Sequence, residues 1–333
     1  MNKQKQLSVS VLMPVYNAAP FICRAIDSIL TQTYTQFELV IVNDGSTDTT
    51  LERIKSYNDT RIRIINLSTN QGLVAALNAG LDSIQADYII RMDADEICYP
   101  ERFAKQIQFM ESNLTIGVSA TWYKIMGGKV MELGCTPEEL KYQLLNRSPF
   151  PHSGVIMRGA LFSDGSLRYN PMYEFAEDLE LWMRLIRVTA FANIPEVLLE
   201  VTLNSGQLSK NLTHSSRHNQ TLRKEYLKYL FPQLKEPEAI LLSTYLNRIL
   251  PNPLHKTEFL EMLTLCNNLS QTTKDKRLDK QLSEAIWFQL ANNAPHSIGW
   301  IVDVRKYTWV EIPVWKYGWL LVKPLVTKLK GLK

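Results

Sequence analysis

The chain has 333 residues, 45% hydrophobic and 21% charged, with a formal net charge of +4. At roughly 100–200 residues per domain, this length predicts about two domains. The composition excludes a wholly disordered or collagen-like chain.

The first hundred residues alternate two periodicities. Ser8–Met13 is a short apolar run closed by Pro14, the pattern of a buried strand. Phe21, Ile22, Ala25, Ile26, Ile29 and Leu30 share one helical face. Phe37–Val42 reads as a second strand, stopped by Asn43-Asp44-Gly45-Ser46, and Thr47 or Asp48 caps a helix reaching Tyr57. A strand at Ile62–Leu67, a helix at Leu73–Ile84 and a strand at Tyr88–Met92 follow. Such alternation predicts an α/β fold with a parallel sheet and helices on both faces. Right-handed crossovers then bring the strand C-termini to one edge, where ligands bind in sheets of this kind. Tyr16-Asn17, Asn43-Asp44 and Asp93-Ala94-Asp95 therefore converge.

Residues 100–200 are less regular. Helices are expected at Glu101–Ser112, Pro137–Asn146 and Ala176–Val188, and strands at Gly117–Tyr123, Lys129–Leu133 and Val155–Arg158. From Ser215 only helical patterns remain: Thr221–Leu230, Glu236–Leu250, Thr257–Leu269 and Arg277–Asn292. The expected division is a sheet domain over 1–212, a helical domain over 213–299 and a tail over 300–333.

Cys23, Cys98, Cys135 and Cys266 form no CxxC pair, so structural zinc and thioredoxin-like chemistry have no support. Reduced, mostly buried thiols fit a cytoplasmic protein. Polar residues 1–6 lead straight into a strand, so no signal peptide is expected. No uncharged apolar run is long enough to span a bilayer.

Several residues have chemistry to offer, each beside a plainer role. Asp93 and Asp95 form a DxD triplet directly after a strand, which suits Mg2+ or Mn2+ or is a pair of solvated loop acids. Asp44 either accepts from a nucleobase imide N–H or holds a turn. Glu177-Asp178 opens a helix, as favourable charge at its N-terminus or as a general base. His152, in Ser148-Pro-Phe-Pro-His-Ser153, is a core histidine or a site residue.

Together these segments are far more specific. Val9–Asn17, Ser28–Tyr34, Glu38–Asp48, Asn70–Gly80, Arg91-Met-Asp-Ala-Asp95 and Glu177–Leu185 occur in one order over residues 7–210. The run resembles the family 2 glycosyltransferases of the GT-A fold, with a mostly parallel sheet flanked by helices and here a C-terminal helical extension. The resemblance implies that Pro14, Val15 and Tyr16 pack on the nucleotide base and that Asp44 holds it, usually as uracil. It puts Asp95 on the metal, Asp93 near ribose and metal, and Asp178 as base beside Glu177. His152, Arg158 and Asn204 fall on site-lining segments. The implied reaction is inverting transfer of a sugar from a nucleotide-sugar donor, UDP-linked by preference, to a glycan or lipid-linked acceptor in surface polysaccharide synthesis.

Two departures stand out. Glu96 follows Asp95 where many members carry a second Asp, which keeps the charge. Asn204 stands about where relatives often have a histidine, so His214 or His218 substitutes, or metal affinity is lower. Asn204 also keeps a non-catalytic nucleotide- or glycan-binding scaffold in view. A sugar nucleotidyltransferase would need a Gly-rich loop after the first strand, and Pro14–Pro20 contains no glycine.

The net charge hides an asymmetry. Arg305–Lys333 carries +6, leaving −2 on residues 1–304, and four of the seven tryptophans lie in Trp300–Lys333. That tail suits an anionic membrane surface at the inner face of the cell membrane, or it packs on the helical domain. No RNA-reading module accompanies the basic residues, so nucleic acid is not expected as a partner.

Overall fold

β1 (Val9–Val15) is buried along its whole length, which only a central strand covered on both faces permits. It pairs in parallel with β2 (Glu38–Asn43) on one side and with β4 (Tyr88–Arg91) on the other, and β3 (Ile62–Asn66) pairs in parallel with β2. In this computed structural model the described residues are 7–202, 212–246, 256–292 and 310.

Helices α1 (Ile22–Leu30), α2 (Thr50–Lys55) and α3 (Leu73–Ser83) make the crossovers. α1 buries Ile22, Ala25, Ile26 and Ile29 in the main core with Val11, Met13, Leu39 and Ile41. α3 crosses the other face, where a Cβ on Gly80 would stand 2.1 Å from Leu12 Cδ1. A side chain there would have to displace the buried Leu12 side chain, so glycine favours the close approach of that helix to β1.

After β4 come β5 (Ile97–Cys98), α4 (Arg102–Ser112), β6 (Ile116–Ile125), β7 (Val130–Met131), α5 (Pro137–Gln143), β8 (Ile156–Arg158), α6 (Glu177–Leu185) and β9 (Ala190–Val201). The sheet order is β3-β2-β1-β4-β8-β6-β9-β5, with β7 on β6. β1 to β4, β6 and β9 run one way, and β5, β7 and β8 run against them. The sheet is therefore mostly parallel and flanked by helices.

β9 has no counterpart in the sequence reading, because Pro195 interrupts its pattern and proline is barred from ladder positions that donate. The structure accommodates it at an irregularity. Thr121 pairs with Ile194 and Trp122 with Val197, so Pro195 and Glu196 fall in the register shift. β5 is equally unexpected, being two residues long. α5 stops at Gln143 rather than Asn146, and α6 at Leu185 rather than Val188.

The chain divides into two compact units, one of residues 1–141 and 148–212, the other of 142–147 and 213–333. In the second unit, helices α7 (Leu212–Leu230), α8 (Glu236–Leu246), α9 (Lys256–Thr273) and α10 (Lys276–Asn292) follow one another. Arg223 on α7 donates to the carbonyls of Leu145 (2.8 Å) and Asn146 (3.0 Å), and Asn146 Nδ2 donates to the Gln281 carbonyl on α10 (2.7 Å). Among the described residues, no helix is long and apolar enough to cross a membrane.

Candidate active site

Register settles where the strand ends stand. Val15 pairs with Asn43 and Asp44 N–H donates to the Val15 carbonyl at 2.9 Å, so Tyr16 and Asp44 emerge side by side. Leu12 pairs with Arg91 and accepts from Met92 N–H, which carries Asp93 to the level of Pro14.

The turns after β1 and β2 are stapled together. Asn17, at φ 48°, accepts from Thr47 N–H through Oδ1 (2.8 Å), and its own N–H donates to the Ser46 hydroxyl (3.0 Å). Gly45 has φ +64°, and a Cβ there would meet the Thr69 carbonyl carbon at 2.5 Å. Asp44 is buried, its Oδ1 accepting from Gln71 N–H (2.8 Å) and its Oδ2 from Gly72 N–H (2.9 Å). Gly72 is the N-cap of α3, so the carboxylate sits at the positive end of that helix. Each oxygen keeps a further lone pair. Pro14 and Val15 are buried, whereas Tyr16 is exposed.

At the other side of β1 the chemistry is built from charge. Arg91 is 2% exposed, and its Nη1 stands 2.6 Å from Asp93 Oδ2. The same guanidinium acts on Asp95, Glu96, Glu177, Asp178, Tyr169 and His152. One cation thus faces five carboxylates drawn from the end of β4 and the start of α6. Burial and the neighbouring Asp93 raise the Asp95 and Glu96 carboxyls, Glu96 to about 8. Burial and Asp178 push Glu177 up to about 7. Burial raises Asp178 too, opposed by the Leu179 N–H, the Ser148 hydroxyl and Arg91.

His152 joins this group. Its Nε2 lies 2.8 Å from the Tyr169 hydroxyl, and burial with Arg91 nearby holds the ring neutral, well below the usual histidine range. Arg158 does not join it, which corrects the sequence reading. Arg158 pairs with Tyr88 at the start of β4, the end of that strand away from Asp93. Its guanidinium donates to the carbonyls of Ile116 (2.9 Å) and Met110 (2.7 Å) and to the Tyr88 hydroxyl (2.9 Å), so it ties α4 to the sheet. Asn204, the side chain of His214 and the tail segments 300–309 and 311–333 lie outside the described residues. His218 lies on α7 in the second unit. Thr202 is described, and its hydroxyl donates to the Asp95 carbonyl at 2.7 Å, as Arg24 does at 3.2 Å.

Residues not picked out from the sequence hold the site in shape. Arg102, fully buried, donates to the Arg91 carbonyl (3.0 Å) and the Ser153 carbonyl (2.8 Å). Asn78 pairs in both directions with the Tyr169 backbone, donating to its carbonyl (2.8 Å) and accepting from its N–H (2.9 Å). The signal for Arg91 was its place in Arg91-Met-Asp-Ala-Asp95, a cation closing an apolar strand; Asn78 had only its motif.

Among the described residues no three His, Cys, Asp or Glu side chains form a ready metal cage. Asp95 lies beside Asp93 and Glu96 in a half-buried place. Carboxylate oxygens of this kind are the donors a hard cation takes.

The family model described as Glycosyl transferase family 2 matches residues 10–168. An uncharacterized glycosyltransferase of Haemophilus influenzae is 32% identical over 233 residues, covering 65% of this chain and 71% of that protein. The chain belongs to glycosyl transferase family 2. The amylovoran biosynthesis glycosyltransferase AmsE of Erwinia amylovora is 31% identical to this glycosyltransferase over 211 residues, 60% of this chain and 78% of the relative. The solved S. aureus TarS 1–349, in complex with UDP-GlcNAc, matches it with a TM-score of 0.59 at 16% identity, covering 96% of this chain and 92% of TarS. At that identity the likeness is one of fold, GT-A.

Proposed function

We propose that this glycosyltransferase moves a sugar, with inversion, from a UDP-linked donor to a hydroxyl of a glycan or lipid-linked acceptor in surface polysaccharide synthesis. The observation that carries the reading is a buried cation, Arg91, set among carboxylates from the end of β4 and the start of α6 at the edge where Asp44 emerges. The name of the amylovoran relative supports the pathway class, and the UDP-GlcNAc complex of the solved neighbour supports the donor class.

In this reading Tyr16 lies against the base, with Pro14 and Val15 supporting the strand end. Asp44 accepts the base imide N–H on a lone pair left over from its bonds to Gln71 and Gly72. Asp95, with Asp93 nearer the ribose, holds Mn2+ or Mg2+, which when bound stabilises the charge on the departing diphosphate. Asp178 takes the proton from the acceptor hydroxyl as that oxygen attacks the anomeric carbon. The Leu179 N–H, the Ser148 hydroxyl and Arg91 favour the ionised form of Asp178 against burial, which favours the protonated one. Glu177 supports the same end of α6, and neutral His152 orients the Tyr169 hydroxyl it hydrogen-bonds.

Incubation with UDP-sugars and Mn2+, read as UDP release, tests the assignment. Asp178→Asn is expected to slow transfer by roughly 10²–10⁴-fold, the contribution of a positioned base. Asp95→Ala should raise the Mn2+ requirement. Release of UDP at the wild-type rate by both variants would overturn the assignment.

The basic, Trp-rich tail Trp300–Lys333 supports docking at an anionic membrane surface, where the acceptor's lipid would lie. The full chain is expected to float with anionic liposomes, and a chain that stays in the soluble fraction removes this part.

A further inference from the structure

The segment from β8 to α6 runs along α3 toward the site edge. Arg168 Nε meets Asp82 Oδ1 (2.7 Å) near the end of α3, Asn78 grips Tyr169 one turn earlier, and Glu174 Oε1 lies 4.0 Å from where a Cβ on Gly72 would stand, before the first turn. Arg184 on α6 donates to the Arg168 carbonyl at 2.5 Å. Asn170 receives Met172 N–H (3.0 Å), and Ala176 N–H donates to the Tyr173 carbonyl (2.8 Å), so the tip is a built turn.

That tip leaves its large apolar side chains in water. Met172 is 75% exposed and Phe175 50%, and Leu73, which follows Gly72 on α3, is 40% exposed. Phe175 also sits at φ +66°, a left-handed conformation that bulky residues avoid. Backbone strain of this kind persists only where surrounding structure imposes it, and it gathers at functional sites. Here it turns an aromatic ring outward immediately before Glu177 and Asp178.

We propose that Met172, Glu174, Phe175 and Leu73 form the acceptor subsite, and that it takes a single pyranose ring. The inference rests on Asp178 being the base, because the acceptor hydroxyl must then lie beside the residues that lead into α6. The C–H face of a pyranose suits Phe175 and Met172, while its equatorial hydroxyls suit the Glu174 carboxylate between them. A lipid chain or bilayer would want a continuous apolar face. Here Glu174 stands between Met172 and Phe175 in the chain, so a carboxylate interrupts the apolar side chains.

Saturation-transfer NMR on the full chain with UDP and Mn2+ tests the subsite. The probes are methyl α-D-glucopyranoside, methyl β-D-galactopyranoside and methyl 2-acetamido-2-deoxy-β-D-glucopyranoside. Ring-proton signals from at least one probe are expected for wild type, about fivefold weaker binding for Phe175→Ala, and recovery in Phe175→Tyr. The Kd for UDP, measured on each variant, is the folding control and should move less than twofold. Equal signals in wild type and Phe175→Ala overturn the subsite, as does a wild type that binds UDP and none of the glycosides. A Phe175→Ala chain that keeps the glycosides but loses vesicles carrying undecaprenyl phosphate would make the patch a lipid site and also overturn it. Failure of wild type to bind UDP would instead bring down the donor reading, and this subsite with it.

Discussion

The two sides of β1 hold their functional groups by different physics. On the β2 side, Asn17, Asp44 and Gly45 are fixed by hydrogen bonds between side chains and backbone and by a left-handed turn that only glycine fits. On the β4 side, Asp93, Asp95, Glu96, Glu177 and Asp178 are held around Arg91 by a balance of charge. The first arrangement is local and insensitive to protons on distant residues. The second is collective: one change of charge reaches every member. In the proposed function the first arrangement gives the nucleotide base a surface of fixed shape. In the same proposal the second arrangement supplies acids raised by burial, Glu177 to about 7 and Glu96 to about 8.

Removing that cation should break the contrast most sharply. Arg91→Met leaves buried carboxylates without a counter-charge, a change that destabilises by about 3–5 kcal/mol for a broken buried pair. Urea unfolding at pH 7 is expected to show a loss of that size, shrinking at pH 5 as the acids take up protons. A loss independent of pH would mean that Arg91 contributes packing alone. Arg91→Lys should recover part of the stability but less of the transfer, since one ammonium cannot serve the same set of partners as a planar fork.

The same contrast explains what could be read from the sequence. Apolar runs alternating with helical faces marked the β1-to-β4 half, and the turn residues Asn43-Asp44-Gly45 announced the strand end. The carboxylates of Asp93-Ala94-Asp95 and Glu177-Asp178 were visible as pairs. Their common partner was not, because an arginine closing a strand gives no sign of depth, and Arg91 is buried while Arg158, on the neighbouring strand β8, is spent on carbonyls at the opposite end. β9 was hidden by Pro195, whose tolerance depends on a register shift against β6. The grip of Asn78 on Tyr169 joins residues 91 apart in the chain, a distance that periodicity does not bridge.

A smaller effect sharpens the charge-built side. Glu177 rises from its ordinary 4.5 to about 7 because burial and Asp178 penalise its charge. The folded state therefore binds a proton that the unfolded chain has released. Stability from this residue is fullest below pH 4.5, falls as pH rises through 7 and is level above, a change of at most about 3 kcal/mol. Glu177→Gln should remove that slope: its melting temperature would exceed wild type at pH 8 and match it near pH 4.5. Parallel profiles for the two proteins would show that Glu177 does not carry the dependence.

The smallest expected effect lies on the turn-built side, and it separates the two roles of Asp44. Asp44→Ala removes two acceptors from the backbone that opens α3, which resembles losing a helix cap and is worth about 1 kcal/mol. Asp44→Asn keeps the shape, but its amide turns a donor toward either Gln71 N–H or Gly72 N–H, so one backbone bond is lost while an acceptor remains for the other. If the carboxylate only holds the turn, UDP affinity should follow stability, and Asn should be the milder change in both. If it also receives the base imide, both variants should lose UDP affinity by about tenfold, a charge-assisted hydrogen bond, however little the fold is disturbed. Calorimetric titration with UDP, set beside thermal unfolding of the same proteins, reads the two quantities separately. An Asp44→Asn chain that melts slightly early yet binds UDP as wild type would confine Asp44 to the turn and leave Tyr16 and its neighbours to recognise the base by packing alone.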